Sequence, residues 1–304
     1  MHAEGAAAVK VTLIGLGRMG QVMAGRLLDG QFDLMVYNRS AGKAGALAER
    51  GARVAESVAQ ASAHGGPVIT MLADDAALQA VAQGAGGIIA SLPAGGIHVV
   101  MGTHQIETIQ ALAAAHRAAG QILVAAPVLG RPAVAAAGKL RIIAAGPAAA
   151  IKMVRPLFRA IGRRTFVAGR VPESASLLKL CNNLVLACAI EAMGEAFALV
   201  EKSGASKQCF QQVLTGGLFK CTAYEGYSKA IVARSWDSVN ITAQLALKDL
   251  DFVLGVAAAR QVPLPSARVC RERLLSAAAR GESQRDWTVM ALEQSRASGL
   301  EWEP

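Results

Sequence analysis

The sequence has few residues of the kinds that form disulfides or bind metals. It contains five cysteines and five histidines among 304 residues, and none of them forms a CxxC, HxH or HExxH pattern. An odd number of cysteines in a chain without an export signal predicts reduced thiols. Cys181 and Cys188 are spaced as one face of a helix, which predicts that both lie in a core. We therefore expect no disulfide framework and no metal site.

Long apolar runs and a leader segment are also missing. The most apolar stretches contain a charge, a glycine or a proline well before the roughly 18 residues that a membrane-spanning helix needs. The start of the chain does not combine a charged segment with the apolar run of a secretion signal. We therefore expect a soluble, cytoplasmic protein that does not associate with a membrane.

Aromatic residues are scarce, at 4%, although the net charge is +9. A nucleic-acid-binding protein usually clusters its basic residues on one face or along one motif. Here the basic residues are scattered, and the densest group spans only residues 155–164. The charge is typical of a solvated basic face that attracts an anionic cofactor and substrate. We expect no nucleic-acid partner.

The first half of the chain contains a regular alternation of strand and helix patterns. This alternation predicts a doubly wound, mainly parallel sheet that is covered by helices on both faces. The pattern leaves the direction of the last strands open. Strand patterns occur at residues 9–14, 33–37, 68–72, 97–101, 121–128, 140–145 and 164–167. Helical patterns lie between most of them, at residues 19–28, 76–83, 104–119 and 148–161, and in an alanine-rich segment that extends to residue 50.

After Pro172 the strand patterns end. An unbroken helical pattern continues to Ser203, which would make a helix of roughly 46 Å, a length that suits a connector between domains. We therefore predict an α/β domain over residues 1–170 and an all-α domain over residues 171–304, joined by a long interdomain helix. Shorter helical patterns follow at residues 206–214, 219–233, 242–260 and 266–279, and from residue 286.

The first strand pattern runs directly into Gly15-Leu16-Gly17-Arg18-Met19-Gly20. A GxGxxG segment between a strand and a helix, at the start of a βαβ unit, is typical of a dinucleotide-binding Rossmann fold. The first glycine permits a tight turn, the second a close approach to the pyrophosphate, and the third close packing of helix on strand. Unpaired N–H groups at the helix N-terminus attract phosphates. We predict that residues 15–20 bind the phosphates of the cofactor.

The end of the second strand discriminates between dinucleotides. Folds that bind NAD usually have an acid there to hold the ribose hydroxyls, whereas this chain has Asn38-Arg39-Ser40 followed by Lys43. A carboxylate would repel a 2′-phosphate, whereas the guanidinium of Arg39 can bind one through charge-assisted hydrogen bonds. The sequence therefore predicts NADP(H) in preference to NAD(H), and FAD is disfavoured.

Five motifs follow one another along the sequence: the glycine turn with Met23, the segment from Asn38 to Lys43, Met71-Leu72-Ala73-Asp74, Lys179-Leu180-Cys181-Asn182-Asn183 and Leu247-Lys248-Asp249-Leu250. In this order they resemble the β-hydroxyacid dehydrogenase family, which includes 3-hydroxyisobutyrate dehydrogenase, tartronate semialdehyde reductase and glyoxylate/succinic semialdehyde reductases. The resemblance implies cofactor contacts for Met71, Leu72, Thr103 and Lys248, and a homodimer or homotetramer built on the helical domain. Thr103 lies in Gly102-Thr103, where the family has Ser-Thr.

Lys179 and Asn183 lie one helical turn apart and so share a face. Leu180, Leu184 and Ala187 make their surroundings otherwise apolar. A lysine on a buried face near a cationic nicotinamide should have a lowered pKa, which suits proton transfer. The resemblance implies that Lys179 is the general acid that protonates a carbonyl oxygen as hydride arrives, and that Asn183 binds the substrate.

The predicted substrate loop departs from the family. The pattern DAPVSGG appears here as Ala125-Ala126-Pro127-Val128-Leu129-Gly130-Arg131. Leu129 in place of the serine removes a hydrogen-bond donor worth about 1 kcal/mol and makes the pocket more apolar, while Arg131 could bind a carboxylate instead. We assign substrate contacts to Leu129, Gly130, Arg131 and Asn183, and the identity of the substrate stays open.

These residues predict an NADP(H)-dependent oxidoreductase that transfers hydride between the nicotinamide and a small β-hydroxy acid, semialdehyde or keto acid. Two alternatives remain. An imine reductase on the same scaffold would suit the bulky Leu129, but such enzymes typically replace Lys179. A non-catalytic, cofactor-binding relative is the other alternative, and the intact pair of Lys179 and Asn183 argues against it.

Overall fold

The computed structural model describes residues 8–300. Backbone contacts divide the chain into two compact units, Met1–Lys179 and Leu180–Pro304. The long helix Glu173–Lys202 runs through this division, so it belongs to both units. The boundary that we predict between residues 170 and 171 lies just before this helix and stays a prediction.

A single sheet organises the first unit, which confirms the predicted α/β architecture. The strands follow the order β3-β2-β1-β4-β5-β6-β8-β7, and β9 pairs with β8. The five pairs from β3 to β6 are all parallel. The strands are β1 (Lys10–Ile14), β2 (Asp33–Tyr37), β3 (Arg53–Val54), β4 (Val68–Thr70), β5 (Ile97–Val100), β6 (Ile122–Ala125), β7 (Val128–Leu129), β8 (Leu140–Ala145) and β9 (Gly162–Gly169).

The parallel register brings the ends of neighbouring strands to one side of the sheet. Ile14 of β1 pairs with Tyr37 of β2 and with Thr70 of β4. Thr70 pairs in turn with Val100 of β5, and Val100 with Ala125 of β6. We call the residues that follow these five positions the carboxyl edge. The strand order reverses between β2 and β4 around β1, and ligands of such sheets bind at this switch point.

The last strands mix both directions. β8 runs antiparallel to β6 and β7, whereas β9 runs parallel to β8. The strand that we predict over residues 121–128 is divided into β6 and β7, because Pro127 lacks an N–H group and cannot donate to the sheet ladder. The chain leaves the carboxyl end of β6 at this proline and returns as β8, so β7 lies near the carboxyl edge.

Eight α-helices cover this sheet or follow its loops. The predicted helix that extends to Arg50 is instead a 3₁₀ turn at Ala41–Ala44 and a single helical turn at Gly45–Ala48, because Gly42 and Gly45 weaken helix formation. Four short elements, β3, α3, α5 and α7, were not predicted. The helices are α1 (Arg18–Asp29), α2 (Gly45–Ala48), α3 (Val58–Ser62), α4 (Asp75–Gln83), α5 (Ile88–Ser91), α6 (Ile106–Ala118), α7 (Pro132–Ala136) and α8 (Ala148–Ile161).

The second unit is helical in its described residues, as we predict from the pattern. A contiguous apolar core includes Ile190, Met193, Leu274 and Trp287. The predicted segment from residue 219 begins as a helix only at residue 222. The helices are α9 (Glu173–Lys202), α10 (Lys207–Gly216), α11 (Thr222–Val232), α12 (Ala243–Ala259), α13 (Pro265–Ala279) and α14 (Val289–Ala297).

Helix α9 has the length and composition of a membrane span, with a mean hydropathy of 1.6 over its most apolar window. This differs from our expectation that no apolar stretch is long enough to span a membrane. Its buried residues belong to the protein core, as in a core helix of a soluble fold. The opposite side carries exposed apolar residues, including Val185 and Leu199. Cys181 is also exposed and Cys188 only half-buried, so the predicted core position is wrong for Cys181.

Candidate active site

The turn between β1 and α1 has a backbone that only its glycines allow. Gly15 has a φ of +102°, and a Cβ atom there would lie 2.4 Å from the carbonyl oxygen of Met71. A Cβ on Gly20 would lie 1.9 Å from the carbonyl oxygen of Gly15. Helix α1 therefore packs so close to the turn that only glycine fits at position 20. A Cβ on Gly17 would meet no described atom within 4 Å beyond those of the adjoining residues in the chain. This open space at a helix N-terminus fits the pyrophosphate of a dinucleotide.

The two residues between and after these glycines have different surroundings. Leu16 is fully buried in the core of the first unit. Arg18 is exposed at the first position of α1, and Met19 is half-buried beside it. The turn therefore has an apolar anchor on one side and a cationic side chain at the helix N-terminus on the other.

Asn38 connects this turn to the end of β2. Its Oδ1 accepts a hydrogen bond from the N–H of Leu16 at 2.9 Å, and its Nδ2 donates to the carbonyl oxygen of Ser40 at 3.0 Å. Arg39, Ser40 and Lys43 are exposed. The bond from Asn38 thus places a short segment with two cationic side chains next to the glycine turn, which suits an additional phosphate group.

The loops after β4 and β5 reach the same carboxyl edge. The N–H of Met71 donates to the carbonyl oxygen of Ile14 at 2.9 Å, and Leu72 follows it in a half-buried position. Asp74 caps α4, because its Oδ1 accepts from the N–H of Ala77 at 2.8 Å. Thr103 follows β5 and is half-buried. The structure therefore brings Met71, Leu72 and Thr103 to the edge that holds the glycine turn.

A chain of buried polar side chains crosses the sheet below this edge, and sequence patterns did not reveal it. Thr70 Oγ1 lies 2.9 Å from Nε2 of His98, and Nδ1 of His98 lies 2.8 Å from Nε2 of His116. Nδ1 of His116 lies 2.8 Å from Oε1 of Gln121, whose amide donates to two backbone carbonyl groups. All four residues are buried.

The available donors and acceptors determine which atom donates in each of these hydrogen bonds. Both amide protons of Gln121 are used, so its Oε1 must accept from Nδ1–H of His116. Nε2 of His116 must then accept from Nδ1–H of His98, and Nε2 of His98 from the hydroxyl of Thr70. Burial lowers the pKa of His116, and burial followed by the neighbouring His116 and His104 lowers the pKa of His98 well below its usual value. Both rings are therefore neutral at physiological pH.

Helix α9 carries the pair that we predict to be catalytic. Lys179 is 9% exposed and Asn183 is 5% exposed, so the predicted buried face is present. Nδ2 of Asn183 donates to Oδ2 of Asp249 on α12 at 2.6 Å. The Nζ atom of Lys248 lies 3.5 Å from Oδ1 of Asp249 and 5.1 Å from the ring centre of Phe252. Asp249 therefore orients the amide of Asn183, a contact that the KDL motif alone did not indicate.

The segment at the carboxyl end of β6 contains the predicted substrate residues. Leu129 is half-buried in β7 and packs against an apolar cluster. Gly130 has a φ of +140°, and a Cβ there would lie 2.8 Å from the side chain of Leu140, so residue 130 has to be glycine. Arg131 is exposed and precedes Pro132, the first residue of α7. The loop thus has a leucine in place of the hydroxyl group and an exposed arginine two residues later.

Each predicted site residue thus lies in a loop or helix of its own unit that the structure describes. The glycine turn, the Asn38 segment, and the loops at Met71, Thr103 and Leu129 all follow strands of the one sheet, while Lys248 lies on α12 beside Asp249. Residues 8–300 contain no group of three or more His, Cys, Asp or Glu side chains that could hold a metal ion.

Comparison with known families assigns both parts of the chain. The NAD-binding domain of 6-phosphogluconate dehydrogenase matches residues 10–169. The NAD-binding domain of NADP-dependent 3-hydroxyisobutyrate dehydrogenase matches residues 174–292. The two matches follow each other as the sheet unit and the helices do.

Individual proteins resemble the chain over nearly its whole length. An uncharacterized oxidoreductase, YfjR of Bacillus subtilis, is 35% identical over 93% of this chain and 98% of its own. Glyoxylate/succinic semialdehyde reductase 1 of Arabidopsis thaliana is 29% identical over 93% of this chain and 97% of its own. A solved structure of Psf3 in complex with NADP+ and 2-OPP is 26% identical, with a TM-score of 0.81 over 93% of this chain and 99% of its own. The chain therefore belongs to the β-hydroxyacid dehydrogenase family and is an NAD(P)-dependent oxidoreductase.

Proposed function

We propose that the protein is an NADPH-dependent reductase of the aldehyde or keto group in a small carboxylic acid, and that it also catalyses the reverse oxidation of the β-hydroxy acid. The observation that carries this proposal is the buried pair of Lys179 and Asn183 on one face of α9, with Asn183 held by Asp249 at 2.6 Å. A proton donor and an oriented amide on a buried helix face are what carbonyl reduction requires of the protein. Family membership supports the substrate class.

Lys179 is the proton donor in this proposal. The bound cofactor supplies the hydride. Lys179 gives a proton to the carbonyl oxygen during reduction and takes it from the hydroxyl group during oxidation. Lys179 is 9% exposed, so the helix face holds its ammonium group largely away from bulk water. Asn183 binds the substrate through its amide, whose orientation Asp249 sets.

The cofactor contacts are assigned to the carboxyl edge. Residues 15–20 would hold the pyrophosphate, and Met71, Leu72 and Thr103 would contact the cofactor from the adjoining loops, with Lys248 contacting it from the helical domain. Arg39, Ser40 and Lys43 would bind the 2′-phosphate of NADP(H). Their exposure beside Asn38 supports this preference, because an anion with about two charges gains most from two flexible cations and a hydroxyl.

The substrate carboxylate is assigned to Arg131, with Leu129 and Gly130 shaping the pocket. An exposed arginine at the start of α7 can move to meet a carboxylate and bind it in a paired geometry. Leu129 would contact the carbon chain of the substrate. This combination favours acids with a larger apolar portion than the shortest hydroxy acids.

Assembly and location complete the proposal. Residues 1–170 would form the cofactor domain, and residues 171–304 the substrate and dimerisation domain. Val185 and Leu199 of α9 are 67% and 69% exposed, and an apolar surface of this kind is typical of a subunit interface. We propose a cytoplasmic homodimer or homotetramer.

Steady-state kinetics with a panel of semialdehydes and keto acids tests the function. We expect turnover with NADPH, and a loss of at least 100-fold in kcat for Lys179→Ala, since general acid catalysis contributes about 10²–10⁴-fold. Unchanged kcat in Lys179→Ala would exclude the proton-donor role. Arg39→Ala should lower the ratio of kcat/KM for NADPH over NADH about tenfold or more, while Arg117→Ala, an exposed arginine on α6, serves as the matched control.

Leu129 supports a second candidate, imine reduction. A half-buried leucine at the place of a hydroxyl group suits a substrate without a carboxylate. The same panel should therefore contain cyclic imines. Turnover of imines with little turnover of semialdehydes would select this alternative, and it would leave the cofactor assignment intact.

A further inference from the structure

His104 connects two loops of the carboxyl edge through a carboxylate. The residue follows Thr103 in the loop between β5 and α6, and its side chain is fully buried. Its Nδ1 lies 3.1 Å from Oδ1 of Asp75, the first residue of α4. The same oxygen accepts the backbone N–H of Gln105 at 3.2 Å. Two bonds to one carboxylate therefore tie the loop after β5 to the loop after β4.

The opposite side of the imidazole fits against a glycine. A Cβ atom on Gly102 would lie 2.4 Å from Nε2 of His104 and 2.5 Å from the carbonyl oxygen of Leu72. Any side chain at position 102 would therefore collide with the imidazole. Residues 102 and 104 are sterically coupled, and the serine that the resembling family has before the threonine would not fit here.

The imidazole is present for its bond to Asp75 and not to fill space. Nδ1 carries a hydrogen, since the carboxylate of Asp75 accepts, and the buried Nε2 has no hydrogen-bond partner among residues 8–300. Such an unpaired buried polar atom costs about 1–3 kcal/mol. An aliphatic side chain of similar size would fill the volume without that cost. It would not hold the loop after β5 to Asp75, as the bond from Nδ1 does.

We propose that His104 is a cofactor-positioning residue: clamped by Asp75 and fitted against Gly102, it fixes the course of the Gly102-Thr103 backbone at the cofactor edge. The clamp joins the two loops that contain Leu72 and Thr103. Cofactor affinity then depends on residues 102 and 104 together, because each determines which side chain the other can have. This inference rests on the proposed cofactor contacts of Leu72 and Thr103.

Calorimetric titration of the full-length protein with NADPH and NADH tests the clamp. His104→Leu fills the volume but loses the bond, and should weaken NADPH binding about tenfold, the equivalent of one hydrogen bond to a charged group. His104→Asn places its amide nitrogen near the position of Nδ1 and should stay within about threefold of the wild type. Kinetics should show a raised KM for NADPH with kcat changed less than about twofold. Gln79→Ala, an exposed change on α4, is the control.

A double-mutant cycle tests the coupling with Gly102. Gly102→Ser should weaken NADPH binding more than about tenfold in the wild type, and by a smaller factor in a His104→Ala background, where the imidazole is gone and only the carbonyl oxygen of Leu72 still opposes the new side chain. Equal costs in both backgrounds, or unchanged binding in His104→Leu, would overturn the proposal even if the wild type binds NADPH. A wild type that binds neither NADPH nor NADH would instead overturn the cofactor assignment and this role with it. Thermal unfolding of each apo variant shows whether it is folded.

Discussion

The buried histidine chain predicts how the stability of the first unit responds to acid. His98 and His116 are neutral in the folded protein, because burial lowers both pKa values from 6.5. In the unfolded chain each would bind a proton below that pH. The unfolded state therefore binds more protons than the folded state in acid, and the stability that the neutral rings provide above pH 6.5 is lost as the pH falls.

The size of the effect follows from proton linkage. A histidine that stays neutral when folded costs about 1.4 kcal/mol of stability between about pH 7.5 and pH 5.5, so about 3 kcal/mol is the upper limit for the pair. The geometry supports neutrality of His116 in particular. A proton added to its Nε2 would face the Nδ1–H of His98 at a nitrogen separation of 2.8 Å.

Urea unfolding followed by circular dichroism measures this loss at each pH. All three tryptophans lie after residue 180, so tryptophan fluorescence in the same samples reports the helical unit as an internal control. His116→Asn removes one titrating ring and keeps a donor near Nδ1 for Gln121. Its stability should fall less than that of the wild type over the same pH range, with a difference of at most about 1.4 kcal/mol. A wild type whose stability changes by less than about 0.5 kcal/mol, or equal pH slopes in both proteins, would refute the reasoning.

Three further predictions concern single contacts. Gly20→Ala should abolish measurable NADPH binding in a calorimetric titration, because its Cβ would lie 1.9 Å from the carbonyl oxygen of the first glycine in the turn; retained affinity would contradict the turn geometry. Asp249→Ala should lower kcat/KM about tenfold, because it frees the amide of Asn183. Asp249→Asn should recover less than half of that loss, because it lacks the negative charge of the carboxylate. Glu282→Gln should cost about 2 kcal/mol in urea unfolding near pH 7, the contribution of a hydrogen bond to a charged group. The paired guanidinium of Arg296 lowers the pKa of Glu282, so this cost should disappear as the pH falls through that lowered pKa.

Much of the architecture could be predicted because it depends on local patterns. The strand Asp33–Tyr37 and the helix Ala148–Ile161 have the predicted bounds, since their apolar spacing and flanking residues are local signals. Shorter elements escaped prediction. The two-residue strand Arg53–Val54 and the five-residue helix Pro132–Ala136 contain too few residues for a periodic pattern.

The conformation of the glycine turn was also determined by the sequence. Gly15 and Gly20 have no alternative, because backbone atoms occupy the space that any Cβ would need, and this requirement appears as fixed glycine spacing. The pair that we propose to be catalytic could be predicted for a similar reason. Lys179 and Asn183 share a helix face through local geometry alone.

Only the tertiary structure decided which distant polar groups meet. Thr70 and His98 are 28 residues apart, His104 and Asp75 are 29 apart, and Asn183 and Asp249 are 66 apart. Periodicity reports whether a side chain faces inward, but it carries no information on which inward-facing groups share a hydrogen bond. Those pairings follow from the register of neighbouring strands and the packing of helices, and a buried polar group must find a partner once folding has removed it from water.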